Sequence, residues 1–223
     1  MISLSLEEAI NCLVAIDQIR LKLALAHIKV DNESTVNLLV ESYQQYLDIQ
    51  NYSLYLSATP DCNGQNLYEL IIERYQKILP QKTNLIIPLS VNKSRRICWQ
   101  AIESWREWHF KDIENGHKVR APFIIIKQAE YLKASAIQEL RDLNSRLGVA
   151  VLLVSDRPLH KMVENAEGKG RFMLLNYPLL LKDGLIRLKE EIDNKRFKTH
   201  EEYIHFFEQV KNNKIQEYKL ELR

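Results

Sequence analysis

The apolar positions fall into two rhythms. From 5 to 29 they recur at helical spacing, with Leu6, Ala9, Ile10, Leu13, Ile16, Ile19, Leu23 and His27 on one side. That period predicts one long packing helix. Asp31 to Ser34 supplies turn and cap chemistry, and a second helix is expected from about Thr35 to Ile49. The texture then changes to short strand-forming runs separated by helical stretches. Expected strands are 52–57 (YSLYLS), 84–91 (NLIIPLSV), 122–126 (PFIII) and 149–154 (VAVLLV), with a fifth at 171–175. Expected helices between them cover 67–78, 93–114 and 134–147, the last closed by Gly148.

Strands alternating with helices of 10–20 residues imply parallel βαβ units. Runs as continuously apolar as 149–154 imply strands covered on both faces. The fold class expected is therefore α/β, a three-layer sandwich around a parallel sheet. Three divisions follow: an N-terminal helical segment over 1–34, the α/β domain over 35–180, and a helical lid or tail over 181–223. In the tail, 182–212 reads as helices, and the alternating IQEYKLELR as an edge strand or frayed end.

Composition narrows the function. The chain has 223 residues, enough for a core that needs no metal or disulfide staple. Its net charge is +2, which excludes a binder driven by bulk positive charge but leaves room for a local basic patch. No apolar run is long enough to span a membrane, and the acidic N-terminus shows no secretory leader. Cys12, Cys62 and Cys98 are far apart and form no CxxC, as expected of reduced cytoplasmic thiols. The histidines lack paired ligand spacing, so no metal is expected, and no nucleophile motif appears.

A strand–loop–helix unit in this fold class is where phosphates bind, through the helix N-terminus and loop N–H groups. The loop after 52–57 has the spacing of the GxxxxGK[ST] signature. Gly64 stands at the second glycine, but Thr59 replaces the first, Gln65 the lysine and Asn66 the hydroxyl residue. Gln65 cannot neutralise phosphate charge, Asn66 is a poor magnesium ligand, and Asp61 adds a repelling charge. After the apolar strand 123–126, where an Asp-Glu pair would hold magnesium and polarise water, stand Lys127 and Gln128.

The segment IIIKQAEYLKASAIQELRDLNSRLGVAVLLVSD resembles the stretch from Walker B to sensor 1 in AAA+ ATPases, most nearly those that select targets and regulate transposases in Mu-like transposons. The detailed match covers about 122–156, with Ala129, Glu130 and Leu132 in the flanking pattern. The resemblance implies a P-loop-type fold whose two Walker motifs are lost. With lysine, hydroxyl, Asp and Glu all missing, phosphoryl transfer has neither charge neutralisation nor an aimed water. No catalytic residue and no cofactor is therefore expected. Lys127 would pair with Asp61 or Glu130, hold a bare anion, or extend to solvent. Sensor 1 falls at Ser155 or Asp156, and Asp156 equally suits a cap before Pro158. Arg171 corresponds to an arginine that reaches a neighbouring subunit's nucleotide, or is a surface residue.

Lys93, Arg95 and Arg96 open the helix after the second expected strand and are candidate phosphate contacts. Lys195, Arg196 and Lys198 form a second basic cluster, and Trp99, Trp105 and Trp108 do not share one helical stripe. The resulting expectation is a pseudo-ATPase in a DNA-transaction complex such as transposition. Its partner would be an AAA+ ATPase, a transposase or DNA, with an oligomer allowed and no membrane. The alternatives are a clamp-loader-like structural subunit and a module that binds nucleotide without hydrolysing it. An enzyme with unusual nucleotide chemistry ranks last, because nothing supplies its acid, base or metal.

Overall fold

The computed structural model describes residues 4–48, 53–78, 90–114, 122–159, 172–176 and 181–193, together with Glu202. The elements are α1 (Leu4–Leu21), β1 (Leu25–Lys29), α2 (Glu33–Tyr46), β2 (Ser53–Ser57), α3 (Gly64–Ile78), α4 (Val91–Glu114), β3 (Phe123–Lys127), α5 (Ala134–Leu147), β4 (Ala150–Ser155), β5 (Phe172–Asn176) and α6 (Leu181–Asp193). The five strands form one sheet in the order β2-β3-β4-β1-β5. Every pairing is parallel. The three-layer α/β sandwich expected from the sequence is present.

Because side chains alternate across a strand, the sheet feeds two cores. Leu25, Leu54, Leu56, Ile124, Ile126, Val151 and Leu153 pack with α3, α4 and α5. Ala26, Ile28, Phe123, Ile125, Ala150, Leu152 and Val154 pack with α1, α2 and α6. The crossover rule explains the division. The chain leaves β1 toward the β2 edge, then returns in the opposite direction through β3 and β4. Right-handed crossovers in opposite directions must lie on opposite faces, which puts α2 on one side and α3 to α5 on the other.

Three sequence expectations are corrected. The first helix ends at Leu21, and Leu25–Lys29, expected as its last turn, is an interior strand between β4 and β5. The reversal occupies three residues and turns on Leu23, whose φ of 50° is left-handed. Such a turn ordinarily carries glycine or asparagine, so a leucine there hides it. The boundary at 34 accordingly falls inside the α/β unit, just after the start of α2. Finally, α6 is no lid: Leu181, Leu185 and Leu188 are buried in the same core as α1. Of the strand expected at 84–91, residues 84–89 lie outside the described residues while Val91 opens α4, and the tail beyond Glu202 also lies outside them.

The amino-terminal end of the sheet is closed by a buried ion pair. Arg20 at the end of α1 meets Asp48 after α2 at 2.9 Å, with each side chain 1% exposed. The second Asp48 oxygen accepts the Ser53 N–H at 3.1 Å and the Tyr55 hydroxyl at 2.7 Å. The Arg20 guanidinium also lies 5.9 Å from the centre of the Phe123 ring, and Tyr43 packs edge-on to the same ring. Burial, with Asp48 adding to it, pushes the Tyr55 hydroxyl far above its ordinary pKa, which keeps it a donor.

Candidate functional site

In an open parallel sheet, ligands bind at the carboxyl ends of the strands where neighbouring connections diverge. Here β1 and β4 are neighbours, and the chain leaves β1 toward β2 but leaves β4 toward β5. The switch point is therefore the connection from β1 to α2, not the loop after β2, which lies at the edge of the sheet among the described residues. This relocates the phosphate-loop expectation placed on Thr59 to Asn66.

The β1–α2 connection is Val30, Asp31 and Asn32. A phosphate loop of the GxxxxGK[ST] form needs about five residues before the glycine–lysine step. Three residues without glycine cannot wrap a phosphate. The ladder also runs on past the strand end, because the Val30 N–H donates to the Ser155 carbonyl at 2.9 Å. The helix end is capped from within: the Asn32 Oδ1 accepts the Thr35 N–H at 3.0 Å, the Thr35 hydroxyl at 3.1 Å and the Ser34 hydroxyl at 2.6 Å. Asp31 and Glu33 add negative charge where an anion would sit. Asn32 thus occupies the Thr35 N–H, one of the donors that make a helix N-terminus an anion site, and the two acids oppose the field that would attract an anion.

The loop after β2 is equally closed. The Cys62 N–H points at both the Thr59 and Tyr131 carbonyls, at 3.0 and 3.1 Å, and the Lys133 N–H donates to the Cys62 carbonyl at 2.8 Å. This makes a short parallel bridge, Cys62 to Leu132. The Asn63 side chain accepts the Gln65 and Asn66 N–H groups at 2.8 and 3.1 Å. Gly64 has a packing role: its N–H donates to the Ser135 hydroxyl at 3.3 Å, and a Cβ there would stand 3.3 Å from Glu139 Cγ. The Gln65 amide spans to Glu69 at 2.8 Å and to Ser94 of α4 at 3.1 Å. These are helix-junction contacts.

The end of β3 faces α2. Lys127 Nζ donates to Asn37 Oδ1 at 2.8 Å, and Gln128 Nε2 donates to Glu33 Oε1 at 2.7 Å. Lys127 thus pairs with neither Asp61 nor Glu130. Asp61 is bound to Lys133 at 3.2 Å in an exposed pair. Gln128 holds a left-handed φ of 55°, a strained setting for a residue with a side chain. Glu130 lies beside Asp156 at the end of β4; burial first, and the Asp156 charge second, raise the Glu130 pKa. Asp156 is also 3.7 Å from the Arg157 Nε. Among the described residues no group of three or more His, Cys, Asp or Glu could hold a metal ion.

Within the sheet, the side chain of His27 lies 2.7 Å from the Ser155 hydroxyl, which donates to the Arg157 carbonyl at 2.7 Å. Since Ser155 has one proton to give, His27 Nε2 is the donor to its oxygen. Burial first, and the charge of Lys29 second, lower the His27 pKa to about 4. The ring is a neutral core group joining β1 to β4. Helical spacing in the sequence puts His27 on the face of α1, because periodicity alone gives no sign of a strand there.

The basic cluster divides. Lys93 and Arg96 are exposed, whereas Arg95 is bound to α5. Its Nε is 3.2 Å from the Glu139 carboxylate, and its other arm contacts Asp142. The Arg95 guanidinium lies 5.1 Å from the Trp99 ring centre, with Arg146 at 5.7 Å. Tyr68 hydrogen-bonds Glu139. A guanidinium held by two carboxylates and an indole is committed to the α3–α4–α5 junction, so Arg95 is withdrawn as a phosphate contact. Trp105 is buried in the same core. Arg171, Lys195, Arg196, Lys198 and the Trp108 side chain lie outside the described residues.

No family model matches the chain, and no curated protein matches it significantly. Among solved structures, it is similar to a chain in the structure of Drosophila ORC bound to AT-rich DNA and Cdc6, at 11% identity and a TM-score of 0.46. That likeness covers 81% of this chain and 62% of the other. A likeness of this degree carries nothing about ligand or partner. No described helix is long and apolar enough to cross a membrane.

Proposed function

We propose that this chain is a catalytically inactive, AAA+-like module that works as a scaffold or regulator through its surfaces. The observation that carries the reading is the three-residue β1–α2 connection, with its helix end capped by Asn32 and flanked by Asp31 and Glu33. Phosphoryl transfer rests on positioning and charge neutralisation, and the switch point offers no cradle for either. Lys127 supports the same reading, because it stands where a magnesium-binding carboxylate is expected and its described partner is a neutral amide oxygen. The resemblance over 122–156 suggests a DNA-transaction complex with an AAA+ ATPase, a transposase or DNA as partner.

Calorimetric titration with ATP and ADP, with and without magnesium, tests the first half. The expected result is no binding heat and no turnover. Magnesium-dependent binding with turnover would overturn the reading, while magnesium-independent binding would favour a module that holds nucleotide without hydrolysing it. The second half is tested by a DNA shift across a salt series. If DNA is the partner through Lys93 and Arg96, the Lys93→Ala, Arg96→Ala double variant lowers the magnitude of the log–log salt slope by about 2. No shift at low salt directs the search to protein partners.

A further inference from the structure

Consecutive residues at the end of β3 reach the same helix. Lys127 bonds Asn37, and Gln128 bonds Glu33, one turn earlier on α2. Glu33 and Asn37 are four apart, so they stand one above the other on the helix surface. Gln128 adopts its strained backbone at this position. Together these contacts tie the first two turns of α2 to the sheet rim, across the ground where a phosphate and its cation would bridge helix and strand.

We propose that this pair of contacts is a built-in clasp that replaces a ligand. It holds α2 against β3 in a single position, so the module keeps one conformation whether or not nucleotide is present. This inference rests on the reading above that the site takes no nucleotide. Asn37 gives the clasp a particular signature. Its acceptor is neutral, so the ammonium of Lys127 meets a dipole. Changing Asn37 to Asp would give Lys127 a carboxylate, but would also stack a third acid between Glu33 and Glu41 at i−4 and i+4. Like charges at that spacing destabilise a helix. The sign of the change therefore reports whether Lys127 is there.

The test is amide hydrogen exchange over the first turns of α2 in the full chain, with Asn37→Asp, Lys127→Met and Lys127→Arg variants. The clasp predicts slower exchange in Asn37→Asp, exchange faster by about tenfold in Lys127→Met, and near-normal exchange in Lys127→Arg. It also predicts that Asn37→Asp speeds exchange once Lys127 is Met. Lys133→Ala, which breaks the exposed pair with Asp61 on the same rim, leaves α2 unchanged. Faster exchange in Asn37→Asp alone, or no response to Lys127→Met, overturns the clasp. Slower α2 exchange in the wild type on adding ATP or ADP would instead overturn the reading that no nucleotide binds, so the two failures are told apart.

Discussion

Gly184 offers a test whose sign depends on tertiary structure. It lies inside α6, where glycine costs about 1 kcal/mol relative to alanine. On an exposed or loosely docked helix, Gly184→Ala would therefore stabilise. In the structure a Cβ at this position would stand 1.9 Å from the Ser5 carbonyl oxygen, 2.7 Å from its carbon and 3.0 Å from the Ala9 Cβ. An ordinary C···O contact is about 3.3 Å or more, so α1 and α6 would have to part by more than about 1 Å. The obstacle is a helix backbone, which cannot swing aside. Overpacking of this kind costs about 1–3 kcal/mol or more. It also loosens Leu181, Leu185 and Leu188, all buried against this layer. A 1.9 Å approach to backbone puts the cost at the upper end of that range, about 3 kcal/mol, and subtracting the propensity gain of about 1 leaves a net loss of about 2 kcal/mol. For a chain of this length that lowers Tm by roughly 4–8 °C. Thermal and urea unfolding of the two proteins decides it. A rise in Tm of a few degrees would refute the close crossing of α1 and α6, and with it the integration of α6 into the sheet domain.

Two further outcomes follow from the buried polar groups. Removing one partner of the Arg20–Asp48 pair, as in Asp48→Ala, should cost about 3–5 kcal/mol in urea unfolding because it strands a buried charge; a loss below about 1 kcal/mol would mean water reaches the pair. His27 makes stability depend on pH. Its folded pKa of about 4 lies below the ordinary 6.5, so between these values the unfolded chain binds the proton and the fold does not. Its contribution is complete above about pH 6.5 and is lost as pH falls toward 4, by about 3 kcal/mol. Comparing urea midpoints of the wild type and His27→Gln at pH 7 and pH 4.5 isolates that part. Equal pH dependence in both proteins would place His27 in contact with solvent.

The sequence by itself determined the fold class and most of the elements. Alternation of apolar strands with amphipathic helices is a local property, and β2, β3 and β4, with α2 through α5, appear where it predicts them. That no GxxxxGK[ST] run stands in the loop after β2 was legible too, since that is a matter of residue identity. Tertiary structure alone decided where such a run would have mattered. A buried interior strand has no polar alternation, so Leu25–Lys29 continued the helical rhythm of α1, and Leu23 occupied a left-handed turn without the glycine that would have announced it. Losing β1 from the sheet moved the phosphate-loop candidate to an edge strand. The same limit hid the partners: Arg95 reads as a free cation until α5 brings Glu139 and Asp142 to it, and Lys127 meets Asn37, 90 residues away in the chain. Periodicity reports which side of an element is buried. Which elements then face one another depends on the order in which strands join the sheet, and that order is a long-range property of the whole chain.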